Sequence, residues 1–197
     1  MLAAFESTKI VGFAIAFPAL RDGRLYLYSD IIAILPEYET SDCELQLRLA
    51  QRDDAIRRGI DLIGWMLDPL QINSAHSDIG RLGAITRCYL PNVYGNRSGC
   101  LSEDFFTDRL MVEWWIRSPH VRACLDEKRG ADHHVRISLP ANVLELCRTN
   151  PCIGPLVQRD LRRRFERCIM RGYAAIGFEI CGQHASYLMG SYEDGII

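Results

Sequence analysis

The stretch from Asp30 to Gly83 constrains this fold more than any other, because its punctuation reads as strand, turn, helix, strand and helix in one run. An apolar strand from Ile31 to Leu35 stops at Pro36, which has no N–H to offer a ladder. A polar hinge follows, then an amphipathic helix from about Glu44 to Arg58, with Gly59 where a left-handed C-cap residue belongs. Ile60 to Leu67 is a second apolar strand, broken by Asp68-Pro69. Asn73 is then expected to cap a short helix that Gly83 ends. Ahead of this stretch, Ser7 to Leu35 reads as two or three antiparallel strands. Asp22-Gly23 sits between its apolar runs, and Gly accepts the positive φ of a tight hairpin.

A second distinctive stretch is Phe105 to Ser118, FFTDRLMVEWWIRS. Leu110, Val112, Trp114 and Ile116 alternate with Met111, Glu113, Trp115 and Arg117, a period of two that predicts a strand. Glu113 and Arg117 then share a face, and Glu113 is expected either to pair with Arg117 or Arg109 or to act on an amine. Asp108 and Arg109 carry the charges to meet an ammonium and a carboxylate. Beyond the polar segment Asp126–His134, the chain resumes with a strand (Val135 to Leu139), a Pro-containing loop and a helix from about Pro155 to Arg171. Val157, Leu161, Phe165 and Ile169 mark its apolar face. Its six arginines lack interleaved aromatics, so they read as a solvated face paired with Asp160 and Glu166 rather than a nucleic-acid surface. Gly172 ends that helix and Tyr173 to Ile180 forms a last strand.

Composition excludes some roles. With 197 residues, 48% hydrophobic, 24% charged and a net charge of −2, the chain suits one soluble domain with no bulk attraction to nucleic acid or anionic membrane. The early apolar run Ile10–Phe17 is too short to span a bilayer, and we read the protein as cytoplasmic. Its eight cysteines are scattered without a C-x-x-C pair, so no metal site is expected.

Five words lie in order along the middle of the chain: Leu35–Tyr38 (LPEY), Leu49–Asp53 (LAQRD), Asp68–Leu70 (DPL), Arg81–Gly95 (RLGAITRCYLPNVYG) and Thr107–Trp115 (TDRLMVEWW). In this register the chain resembles a predicted-acyltransferase subgroup of the GNAT N-acyltransferase superfamily. The resemblance implies a mixed α/β domain: a twisted, mostly antiparallel sheet flanked by helices, with a C-terminal strand–helix–strand extension. The core would span 1–125, without the family's usual N-terminal strand and helices, and the extension 126–197 would pack on the same domain. By that comparison part of the acceptor-binding wall is absent or supplied elsewhere.

The resemblance also implies a reaction, transfer of an acyl group from acetyl-CoA or another acyl-CoA to the amine of a small molecule, possibly an amino acid. The strand backbone at Ile34 and Leu35 would contact the thioester, Asn73 the pantetheine region, and Glu113 would serve as the base. The family's thiolate-protonating tyrosine falls on Ile79, so Tyr94 or Tyr89 would supply that proton. The phosphate-binding loop departs further. Glu39, Thr40, Ser41, Asp42, Cys43 and Glu44 replace its glycines and basic residue, and carboxylates stand where phosphates would lie. Coenzyme A binding in the family manner is therefore expected to be weak or lost. The same acids favour a helix N-terminus, with Ser41 or Asp42 as cap. The alternative reading is a catalytically degenerate binding or dimerisation module, with Trp114 and Trp115 suited to a homodimer contact or to core packing.

Overall fold

The computed structural model describes residues 1–38, 42–95, 107–127, 133–150 and 152–193. Glu39, Thr40 and Ser41, half of the expected phosphate loop, lie outside them, as does most of the segment 126–134. The chain divides into two compact units, one of Met1–Trp65 with Glu113–Arg117, the other of Met66–Val112 with Ser118–Ile197. The expected boundary between 125 and 126 falls inside the second unit. The architecture is the expected mixed α/β one, with mainly antiparallel strands and helices.

In the first unit, β1 (Leu2–Glu6), β2 (Lys9–Arg21) and β3 (Arg24–Ile34) form an antiparallel meander. β1 lies ahead of the expected strands. The β2–β3 turn is the expected two-residue hairpin: Arg21 pairs with Arg24, and Asp22 (φ 50°) and Gly23 (φ 77°) both take the left-handed backbone that a primed turn demands. A 3₁₀ turn at Pro36–Tyr38 leads toward α1 (Cys43–Arg57), and Gly59 (φ 70°) ends that helix as expected. Asp42 holds the N-cap position, but its side chain makes no capping hydrogen bond. The face that α1 buries holds Leu47, Arg48, Gln51 and Ala55, so half of it is polar, where an apolar stripe was expected. β4 (Leu62–Leu67) begins in this unit and runs parallel to β3, in the register Leu27↔Ile63 and Tyr28↔Gly64. β6 (Arg109–Trp115) ends in it, and there Trp114, fully buried, meets Trp65 edge-on at 6.2 Å.

The second unit holds the rest of β4 and β6, then β5 (Ile85–Leu90), β7 (Val135–Pro140), β8 (Tyr173–Cys181) and β9 (His184–Ser191). β9 pairs antiparallel with both β7 and β8. It is a strand the sequence reading did not include, and six of its residues are buried. α2 (Ile72–Ala75) continues as a π-helical turn, His76–Arg81, before Gly83 at φ 71°. Asn73 does not cap α2: Gln71 holds that position, and Asn73 is the helix's second residue, exposed. Two further helices were not expected. α3 (Pro119–Leu125) starts at Ser118, whose hydroxyl accepts the Val121 N–H at 3.2 Å, with Pro119 at the first helical position. α4 (Val143–Thr149) lies in the segment read as a Pro-containing loop. α5 (Ile153–Ile169) buries Leu161 and Phe165, each worth about 1.5–3 kcal/mol. Phe165 packs with Tyr89 and Tyr187, and Tyr187 in turn with Phe178.

Candidate functional site

Within the first unit, the resemblance places the expected thioester contact at the end of β3. The parallel ladder with β4 has its register at Leu27 and Tyr28, yet β3 continues six residues to Ile34. Along that continuation the antiparallel partner is β2. The Leu35 N–H donates to the Val11 carbonyl at 2.9 Å, so it is committed to the β2 side. Successive residues of an extended strand turn their N–H groups to opposite edges, so the N–H of Ile34 points away from β2. Of the two residues expected to contact the thioester, Leu35 thus turns its N–H toward β2 and Ile34 turns its N–H away from it.

Beneath this strand lies a buried polar cluster that sequence reasoning missed. The Ser29 hydroxyl accepts from Arg48 Nη1 and from Gln51 Nε2, each at 3.0 Å, and the Arg48 guanidinium lies over the Trp65 ring at 3.9 Å. The residues carry a signal in hindsight: Arg48 and Gln51 sit three apart and therefore share a helix face with Leu47 and Ala55.

At the loop before α1, Lys9 Nζ donates to Glu37 at 2.9 Å, which raises the Lys9 pKa and lowers that of Glu37. The Tyr38 hydroxyl donates to Glu6. The basic residue nearest this loop among the described ion pairs is thus matched to a carboxylate. Asp42 and Glu44 open α1, where negative charge suits the helix dipole. The described residues of this turn, Glu37, Tyr38, Asp42, Cys43 and Glu44, include three acids, and Lys9 is paired to the first of them.

Glu113 is 1% exposed. Its carboxylate accepts from Arg21 Nη1 at 2.9 Å and from Trp115 Nε1 at 3.1 Å. Arg117 pairs with Asp61 at 2.6 Å. A covered carboxylate held in an ion pair is a structural anchor, and an amine could reach it only by displacing Arg21. That argues against the expected role as base.

The second unit carries the other named residues. Asp108, 1% exposed, is saturated: Arg162 donates to both its oxygens at 2.8 Å, the Tyr89 hydroxyl donates at 2.9 Å and the Asn92 N–H at 2.8 Å. It is therefore unavailable to the ammonium it was expected to meet. Burial, with the Asp108 charge adding to it, pushes the Tyr89 hydroxyl well above its ordinary pKa, which weakens it as an acid. Tyr94 is half exposed, with the Arg109 guanidinium 5.0 Å from its ring centroid. Asp68, at the end of β4, accepts the Leu70 N–H at 2.9 Å on one oxygen, while its other oxygen lies 3.8 Å from Arg109 Nη1. Burial is the main cause of a raised Asp68 pKa, which the Leu70 N–H and Arg109 partly oppose. No residue-level signal beyond the DPL word marked Asp68, because its partner lies about forty residues further along the chain.

No protein-family model matches the chain, and no curated protein matches it. Solved structures that resemble it are acetyltransferases. One is the NatC complex bound to Gag peptide and CoA, at 14% identity over 56% of this chain and 64% of that one, with a TM-score of 0.44. Another is an acetyltransferase of the GNAT family from Streptococcus pneumoniae, at 17% identity over 56% and 63%, TM-score 0.46. A third is the ribosomal-protein-S18-alanine N-acetyltransferase from Escherichia coli, at 16% identity over 66% and 71%, TM-score 0.44. The match thus spans less than two thirds of the first two chains. It is a partial likeness to acetyltransferases, and at these identities and TM-scores it transfers no substrate and no residue role to this chain.

Proposed function

We propose that the chain is an N-acyltransferase that moves an acyl group from acetyl-CoA or another acyl-CoA to the amine of a small molecule. The observation that carries this reading is the strand end at Ile34, which continues past the β3–β4 register with an N–H directed away from β2. The five words in order along Leu35–Trp115 support it independently.

An acyl-CoA supplies the acyl carbon as a thioester. The Ile34 N–H is suited to hydrogen-bond the carbonyl oxygen, where negative charge grows as the amine nitrogen forms its new C–N bond and the C–S bond breaks. The departing sulfur takes a proton and the amine loses one. Of the two tyrosines that the resemblance offers for the first of these transfers, Tyr94 is half exposed, whereas the Tyr89 hydroxyl is bonded to Asp108. Asn73, exposed in the first turn of α2, remains our candidate for the pantetheine region. Acids at Asp42 and Glu44 weaken the hold on the phosphates.

Calorimetric titration with acetyl-CoA and succinyl-CoA tests the reading, with an Asp42→Gly/Glu44→Gly variant in parallel and thiol release measured over a panel of amines. We expect weak binding by the native chain and binding about tenfold tighter or more in the variant, as removal of two nearby like charges predicts. Micromolar binding by the native chain would overturn the part assigned to the acids. No binding by either protein at millimolar concentration, with no thiol release, would overturn the function itself.

A further inference from the structure

We propose that α5 carries a docking surface for an anionic lipid bilayer, built from Arg159, Arg163 and Arg167 together with Leu156 and Met170. All five residues lie on α5 or its C-cap, within the second unit, and the inference is independent of the acyltransferase reading.

Two arginines of this helix serve the fold. Arg162 donates to Asp108 at 2.8 Å, and Arg164 donates to the Ser138 carbonyl at 2.8 Å and lies 3.4 Å from Asp160. Three others differ. Arg159, Arg163 and Arg167 are exposed, and among the described residues none of them has a carboxylate partner. At 3.6 residues per turn, Arg159, Met170, Arg163, Leu156 and Arg167 fall in that order within about 80° of the helix circumference, and the arginines follow one another about 6 Å apart along the axis. No acidic residue of α5 falls inside this arc. Glu166 borders it on one side, and Asp160, matched to Arg164, on the other. Leu156 is 61% exposed and Met170 78%, one near each end of the arginine row.

Charge selects the class of partner, and the two apolar side chains select the member. At physiological ionic strength, charges beyond about 8 Å are largely screened, so a partner meets this local excess rather than the net charge of −2. A single-stranded nucleic acid would meet the arginines, but its bases need aromatic faces, and the strip has none. It would also leave Leu156 and Met170 in water. An anionic bilayer answers both features, because its headgroups take the guanidinium groups and the boundary beneath them takes the two apolar side chains. The opposite face of α5 is held in the core, so the contact is one-sided and shallow.

The test is sedimentation of the full chain with vesicles of about one-third phosphatidylserine in phosphatidylcholine, and with phosphatidylcholine alone, at about 0.15 M salt. Three arginines at about fivefold each and two apolar side chains at about tenfold together give a partition constant on the order of 10³ M⁻¹ for the mixed vesicles, and about a hundredfold less for the neutral ones. Arg159→Gln/Arg163→Gln/Arg167→Gln should lower the first value about a hundredfold, and Leu156→Gln/Met170→Gln about tenfold. The triple Arg→Lys variant keeps the charge and should retain most of the binding. Urea midpoints check that each variant is folded.

Equal partition onto both kinds of vesicle would overturn the proposal. So would unchanged binding in the folded triple Gln variant, or no sedimentation with mixed vesicles at millimolar lipid. Single-stranded RNA and polyglutamate are titrated in parallel, and tighter binding of either would assign the strip to that partner instead. Release from the vesicles by inorganic phosphate, beyond what chloride achieves at equal ionic strength, would replace the bilayer with a free-phosphate site.

Discussion

The face that α1 buries carries Leu47, Arg48, Gln51 and Ala55, whereas the face that α5 buries carries Gly154, Gln158, Leu161, Phe165 and Cys168. α5 is held by an apolar stripe, and its main ion pair, Arg162 with Asp108, lies to one side of that stripe. In α1 the polar groups are part of the packed face, with Arg48 and Gln51 bonded to Ser29 and the guanidinium stacked on Trp65. An apolar face tolerates small shifts. A face built on hydrogen bonds and a stacked cation requires its partners at fixed positions, which suits the strand end that we assign to the thioester contact.

The largest effect is expected from Arg162→Leu in α5. It leaves Asp108 buried with only its two neutral donors, and should cost about 3–5 kcal/mol in urea unfolding. A loss below about 1 kcal/mol would mean that the apolar stripe alone holds α5. In the first unit, Glu113→Gln should cost less, about 1–3 kcal/mol, because Arg21 is 39% exposed on its side chain and can rehydrate. Acyl-CoA binding should be unchanged in that variant. A catalytic collapse with full stability would return Glu113 to the role of base.

The polar face of α1 should respond cooperatively. Arg48→Met and Ser29→Ala should each cost about 1–2 kcal/mol, and the double variant should cost less than the sum by about 0.5 kcal/mol or more. Strict additivity would show that the cluster is three separate contacts. The smallest effect is a pH dependence. Asp68 has its folded-state pKa raised, so the folded protein holds more protons than the unfolded chain between the ordinary Asp value, near ~4, and the raised one. Stability should therefore fall as pH rises through that window. The wild type should show the slope in urea midpoints, and Asp68→Asn should lack it.

The contrast between the helices also explains what the sequence revealed. α5 was legible because Leu161 and Phe165 follow its period and Gly172 ends it. α1 was legible through its ends, at the polar hinge and Gly59, but its buried face was misjudged, since period alone does not tell a buried arginine from a solvated one. The Asp22-Gly23 hairpin and the alternation in β6 were legible because both depend on local backbone rules. α3 carried a readable Ser-Pro start that was passed over. The candidate site was only half legible. Ile34 was named by the resemblance, whereas the partners of Glu113, Asp108 and Asp68 are set by residues far along the chain. Pairing of charges at that range leaves no local pattern.

The first unit takes its last five residues, Glu113–Arg117, from far downstream of Trp65. During synthesis Trp65 must therefore wait about fifty residues for Trp114, and Arg21 must wait 92 for Glu113. The β1–β3 meander can form as soon as it emerges, since its pairings are local, but the unit it belongs to closes late. A ribosome paused before Glu113 would hold a sheet with its hairpins made and two of its buried partners missing.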